Sequence, residues 1–207
     1  VFDCTTNKYD TLYARWLRKP GDLLDFAEYK PGERLLDLCG GTGAVAREAI
    51  RRGALRVALV DLNPRCREDR VQQIRGDARH LTDFWEPGTV EFDLVVCRQA
   101  VGYLDIMPVF QQVRQVLRIG GRFAFNTFRA PPRWAFKRYE HEGQRFAEVA
   151  ARIGSRIVHV QYGRGMGADM TTFRWHKDEA LVKALWWGDV ATRLDERSGH
   201  YLCTRRA

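Results

Sequence analysis

Five short strand-like runs constrain this chain more than any other feature: RLLDL (34–38), RVALVD (56–61), FDLVVC (92–97), RFAFNTF (122–128) and the weaker VQQIRGD (71–77). Each is too short to be a helix and is bounded by Gly, Pro or charged residues. The segments between them have helical patterning. One runs from about Gly43 to Arg52 with Gly53 as a stop, and PVFQQVRQVL places Val109, Val113, Val116 and Leu117 on one face before Gly120-Gly121. Strands alternating with helices imply a parallel sheet. The expected fold is α/β: a Rossmann-like, doubly wound, mostly parallel seven-stranded sheet with helices on both faces.

The texture changes after Phe128. PPRW breaks the alternation, and RIVHVQYG and MTTFRWHK are expected as two strands joined across RGMGAD. QRFAEVAARI fits a helix or a third meander strand equally well. A helix over DEALVKALWW is expected next, with VATRL and HYLCTRR as a closing antiparallel pair. YDTLYARWL places Tyr9, Leu12, Tyr13, Trp16 and Leu17 on one helical face. No repeat or long linker divides the chain, so one domain is expected. Its parts are an N-terminal helical lid (1–30), a ligand-binding core (31–128), a small antiparallel β elaboration after strand five (129–176) and a closing helix with strands (177–207).

With 207 residues and 45% hydrophobic content, the chain can bury one sizeable core. No apolar run reaches the length of a membrane span, and the opening VFDCTTNKYD lacks the layout of a signal peptide, so a cytoplasmic protein is expected. The five cysteines are scattered without a C-x-x-C pair, and the five histidines have no ligand spacing, so no metal site is expected. Net charge is +8, but Lys supplies only six of the 34 basic residues and the arginines are dispersed. A solvated Arg-rich surface explains that better than a nucleic-acid interface, which stays as an alternative.

The glycines after the first strand pose the functional question. Gly41-Thr42-Gly43-Ala44-Val45-Ala46 satisfies the relaxed dinucleotide pattern, and Asp61 follows Gly41 by 20 residues, where an acid bonds a ribose. Taken alone, this permits a nicotinamide enzyme. Asp37 argues against it, because a carboxylate beside a pyrophosphate site adds repulsion of roughly 1–4 kcal/mol. Asp37, Asp61 and Asp77 end three successive strands and so face one crevice. That suits a cationic nucleoside.

LLDLCGGTG, VALVDLN, RGDA, FDLVVCRQAVGYL and VLRIGGRFAFNTF, in this order and spacing, resemble the class I S-adenosylmethionine-dependent methyltransferases, most closely the UbiE-like or small-molecule type. The resemblance covers about Arg34 to Phe128. It departs from the family at Cys39, where the usual acid-x-Gly-x-Gly-x-Gly has its first glycine. The resemblance implies S-adenosyl-L-methionine as cofactor and S-adenosyl-L-homocysteine as product. It also implies that Asp37 lies near the ammonium and that Cys39, Gly40, Gly41 and Gly43 line the methionyl and ribose part. Asp61 would take the ribose hydroxyls, Leu62 and Asn63 would lie against the adenine, and Asp77 and Ala78 would meet its edge. Cys97, Arg98 and Gln99 would floor the site, with Tyr9 and Tyr13 as lid residues.

Methyl transfer from a sulfonium is a one-step displacement that depends on alignment, with a general base needed only for a protonated acceptor. Candidate bases are Tyr103, Tyr139, His141, His159 and His176, with Tyr139, His141 and His176 first because the elaboration is expected to form the acceptor pocket. Trp134, Phe136, Tyr139, Tyr162, Phe173 and Trp175 would line it or simply pack it. A small-molecule acceptor (N, O or C) is favoured. An RNA or protein methyltransferase and a non-catalytic nucleotide-binding domain are the alternatives. VVCRQAVGY, in place of N/D-P-P-Y, disfavours amino-base methylation. Monomer and homodimer both remain open.

Overall fold

The computed structural model describes residues 19–86, 88–89, 92–101, 104, 106–128, 146–152, 155–161, 170–176, 186, 189–194 and 198–206. In chain order these form α1 (Asp22–Phe26), β1 (Arg34–Leu38), α2 (Ala44–Arg51), β2 (Arg56–Asp61) and β3 (Val71–Arg75). A 3-10 turn (Ala78–Asp83), β4 (Phe92–Cys97), α3 (Ile106–Val116) and β5 (Leu117–Phe128) follow. Last come β6 (Phe146–Arg152), β7 (Ser155–Gln161), β8 (Met170–His176), β9 (Asp189–Leu194) and β10 (Ser198–Thr204).

Seven strands make one sheet in the order β3-β2-β1-β4-β5-β10-β9. β1 to β5 pair in parallel, and β10 runs antiparallel to both its neighbours. A sheet of seven, mostly parallel, agrees with the expectation. β6, β7 and β8 form a separate antiparallel meander. This resolves QRFAEVAARI as a strand. The two proposed lid tyrosines, Tyr9 and Tyr13, lie outside the described residues, as does most of DEALVKALWW.

Successive strand side chains enter different cores, as the two-residue period of a strand requires. Leu35, Val57, Leu59, Leu94, Val96 and Ala124 pack with Leu23 and Leu24 of α1 and with Val45, Ala46, Ala49 and Ile50 of α2. Leu36, Leu38, Ala58, Val60, Val95, Cys97, Phe123 and Phe125 pack with Val109, Phe110 and Val113 of α3 and with Leu81, Trp85 and Trp186. Phe92 and Val95 are an odd number of residues apart yet share a core. The pairing is irregular there, jumping from Phe92↔Leu117 to Leu94↔Arg122, so the extra residues bulge out of β5 and the alternation along β4 breaks at Asp93. Against the opposing effect of burial, Asp93 accepts the Arg34 backbone amide and both the Arg34 and Arg118 guanidinium groups, which hold its carboxyl down at about 2.

One element boundary differs from the sequence reading. Gly120-Gly121 do not separate α3 from β5. The strand already begins at Leu117, which pairs with Phe92, and Gly120 sits inside it at φ 75°. There its amide donates to the Arg205 carbonyl, so the glycine conformation serves a turn within the strand and not a helix cap.

Candidate active site

The carboxyl ends of β1, β2 and β4 come together, with β1 in the centre. Between β1 and α2 the chain crosses in five residues, Cys39 to Gly43. Two glycines there have left-handed backbones, Gly41 at φ 53° and Gly43 at φ 74°. Gly43 is also required by packing, since a Cβ there would stand 2.4 Å from Cys66 Sγ.

Asp37 anchors the loop from beneath. It is 1% exposed, and its Oδ2 accepts the Ala46 amide of α2 at 3.0 Å. A Cβ on Gly40 would lie 2.6–2.9 Å from the carboxyl atoms, so the loop backbone rests directly on this group. Burial is the main cause of an Asp37 pKa raised from 3.8 to about 7. The Ala46 hydrogen bond and the charges of Arg98 and Arg47 oppose it, and Asp61 reinforces it. Asp37 therefore fastens the loop and does not project into open space. The amide it takes is one that a helix N-terminus would otherwise offer to a phosphate.

Asp61 sits at the edge of the same loop. Oδ2 accepts the Gly41 amide at 2.9 Å and Oδ1 accepts the Asn63 amide at 2.8 Å. Each carboxylate oxygen can accept a second hydrogen bond, so the group can still take a pair of hydroxyls. A Cβ on Gly41 would meet nothing nearer than Asp61 Oδ2 at 4.0 Å, which leaves space above the loop. The neighbouring Leu62 is 65% exposed, an apolar surface suited to a flat ring. The loop, the half-buried carboxylate and the adjacent apolar face together fit a nucleoside with a free ribose diol.

Asp77 is held differently. It caps the 3-10 turn by accepting the Arg79 amide at 2.9 Å, and it pairs with the Arg79 guanidinium at 2.6 Å. That pairing, with the guanidinium as the largest cause, lowers its pKa. Ala78 beside it is buried. β3 ends at Arg75, two residues before Asp77, so this carboxylate belongs to the following turn.

Cys39 occupies the family's first glycine position and adopts φ 58°. A left-handed backbone at a non-glycine residue is strained. The Cys39 thiol hydrogen-bonds Cys97, and that contact together with burial raises its pKa well above the ordinary thiol range. Cys97 is fully buried at the end of β4, which makes it a packing residue here. Replacing Cys39 with Gly is expected to leave stability within about 1 kcal/mol, because relief of strain offsets the lost thiol contact. Cys39→Val should cost about 2 kcal/mol or more, since a β-branched side chain is poorly tolerated at positive φ. Thermal melts of the two variants check this, and equal melting temperatures would refute it.

Arg98 and Gln99 follow β4, both half-buried. Gln99 has φ 57°, and its amide donates to Asn126 Oδ1 at 2.7 Å. The sequence reading missed Asn126. The available signal was the polar Asn126 directly after the apolar Phe123-Ala124-Phe125, on the same side as Ala124. It also missed Cys66, which fills the space under Gly43, and the Arg65 amide that closes onto the Gly41 carbonyl.

Of the candidate bases, Tyr103, Tyr139 and His141 lie outside the described residues. His159 and His176 fall on β7 and β8, with backbone partners Thr172 and Ser155. Among the described residues no group of His, Cys, Asp or Glu could hold a metal ion, and no helix is long and apolar enough to cross a membrane.

Solved structures of similar fold include a protein from Pyrococcus horikoshii OT3, 18% identical, with TM-score 0.63 over 99% of this chain and 95% of that one. A second, titled a putative S-adenosylmethionine dependent methyltransferase from Listeria monocytogenes, is 12% identical with TM-score 0.63 over 91% and 98%. A third is phosphoethanolamine N-methyltransferase 2 of Haemonchus contortus in complex with S-adenosyl-L-methionine, 14% identical with TM-score 0.64 over 99% of this chain and 59% of that one. No curated protein sequence matches significantly. The family described as "Methyltransferase domain" matches residues 11–186, most of the chain. With that match and this fold, the chain belongs to the methyltransferase domain family.

Proposed function

We propose that this protein is an S-adenosyl-L-methionine-dependent methyltransferase of the small-molecule, UbiE-like type. The observation that carries the reading is the occupied helix N-terminus: Asp37 takes the Ala46 amide, while Asp61 keeps acceptor capacity beside an open glycine loop. Such a site disfavours a phosphate and favours a neutral diol on a cationic ligand. When bound, S-adenosyl-L-methionine supplies an activated methyl group on a sulfonium centre, and S-adenosyl-L-homocysteine leaves.

The chain's own task is to bind and align. Asp61 receives the ribose hydroxyls, and Leu62 and Asn63 support the adenine, with Asp77 and Ala78 at its edge. Gly40, Gly41 and Gly43 let the backbone approach, and Cys39, Cys97, Arg98 and Gln99 close the floor. Asp37 lends its charge from below the loop. Residues 31–128 serve as the cofactor core under a lid bearing Tyr9 and Tyr13. Residues 129–176 supply the acceptor side, with Tyr139, His141 and His176 as bases for acceptors that must lose a proton. Alignment of this kind accounts for roughly 7–11 kcal/mol of barrier in favourable cases.

The charge balance supports a small acceptor over a nucleic acid. Eight described arginines, at positions 34, 51, 52, 70, 79, 118, 122 and 206, are in salt bridges with Asp or Glu. Paired guanidinium groups contribute little to phosphate attraction. Calorimetric titration tests the reading: S-adenosyl-L-homocysteine should bind in the micromolar range or tighter, and NAD(P) should not compete. Tight NAD(P) binding without S-adenosyl-L-methionine binding would overturn it.

A further inference from the structure

Among the described residues two buried side chains are polar or charged, Asp37 and Asn126. Each accepts a hydrogen bond from a backbone amide beyond a parallel strand, Asp37 from Ala46 in the first turn of α2 and Asn126 from Gln99 in the turn after β4. Each segment leaving the strand carries a non-glycine residue with a left-handed backbone, Cys39 after β1 and Gln99 after β4. Such residues persist only where their surroundings over-determine them.

The sheet register explains what Asn126 does. β4 and β5 pair through Val96↔Ala124 and Cys97↔Phe125, and the paired ladder ends there. At the next step the Asn126 side chain, 9% exposed, replaces the backbone acceptor and captures the Gln99 amide at 2.7 Å. β4 therefore stops and turns at a fixed residue. β1 lies between β2 and β4, so this turn and Asp61 flank the glycine loop on opposite sides.

We propose that Asn126 is a positioning residue: by holding the Gln99 amide it fixes the Cys97–Gln99 turn as the wall of the cofactor cleft that faces Asp61 across the glycine loop. This rests on the methyltransferase reading above. The same tether sets where Arg98 and Gln99 meet the acceptor.

The test uses the full chain with Asn126→Leu and Asn126→Asp, with S-adenosyl-L-homocysteine as probe. Asn126→Leu should speed exchange of the Gln99 amide and weaken binding by about tenfold, as expected for one lost hydrogen bond at a buried donor. Asn126→Asp keeps the acceptor oxygen and should keep both the slow exchange and most of the affinity. A purely structural role for Asn126 would not tie affinity to Gln99 exchange across the two variants. Wild-type affinity in Asn126→Leu, or Gln99 exchange that stays slow there, overturns the proposal. If Asn126→Leu does not fold, Asn126→Ala is judged by the same measurements. If the wild-type chain binds no S-adenosyl-L-homocysteine, the methyltransferase reading fails, while Gln99 exchange still decides whether the tether exists.

Discussion

Asp61→Ala should lower the affinity for S-adenosyl-L-methionine by about 10²–10³-fold while the protein stays folded. The carboxylate is assigned two ribose hydroxyls, and charge-assisted hydrogen bonds of this kind contribute roughly 1.5–3 kcal/mol each. The substitution has a second effect on the empty protein. It releases the Gly41 and Asn63 amides, both of which Asp61 now accepts, and so loosens the glycine loop and the turn after β2. Asp61→Asn separates the two effects. One amide oxygen can hold one of the two backbone donors but cannot serve a diol as well, so a loss of about tenfold is expected. Isothermal calorimetry gives the affinities and circular dichroism the fold. Unchanged binding in Asp61→Ala would remove the ribose assignment.

The second large effect is on pH dependence and belongs to Asp37. Its folded pKa of about 7 lies above the ordinary 3.8, chiefly because the group is buried. The sign follows from proton linkage: the stabilising contribution of the protonated group is fully present below about pH 3.8 and is lost as pH rises through 7. The shift corresponds to roughly 4 kcal/mol between the two limits. Asp37→Asn cannot ionise, so its melting temperature should exceed that of the wild type at pH 8, with the difference shrinking as pH falls and gone only near pH 4. Ligand binding should move the other way. A cationic cofactor favours the ionised carboxylate, so wild-type affinity should rise between pH 6 and 8, whereas Asp37→Asn binds about tenfold more weakly at pH 8 with a flatter profile. Identical pH profiles for the two proteins would show that Asp37 plays no electrostatic part.

Most of the sheet was legible because its signals are local. Short apolar runs identified β1, β2 and β4, the first two carrying Asp37 and Asp61 at or next to their ends, and the Gly-bounded run 44–52 located α2. β3 was correctly placed, but Asp77 was assigned to its end, since nothing in RGDAR marks where a strand yields to a 3-10 turn. Gly120-Gly121 misled for a related reason. Two glycines after a helical stripe have the sequence signature of a helix stop, but here the backbone bends inside a strand whose partner, Arg205, lies far away in sequence. The site was legible as a list of residues more than as a geometry. Asp61, Gly41 and Gly43 could be named from spacing, whereas the burial of Asp37 and the Asn126 tether depend on contacts between strands. Cys39, the departure from the glycine pattern, has a left-handed backbone, a conformation that glycine adopts more readily.

The reversed strand has a consequence for the order in which the molecule is made. β10 is the last described strand in the chain, yet it lies inside the sheet between β5 and β9. Tyr201 and Cys203 on it are fully buried, and its Thr204 carbonyl receives the Trp186 indole N–H. During synthesis the parallel half from β1 to β5 can assemble as it emerges, since none of its pairings needs later residues. β9 has no sheet partner until residues 198–204 arrive to fill the gap, so its pairing must wait. Until then β5 presents an open edge to the ribosome-bound chain and its neighbours. A segment of seven residues made after β9 therefore closes the sheet, and nascent chains stalled before it should be unusually prone to aggregation.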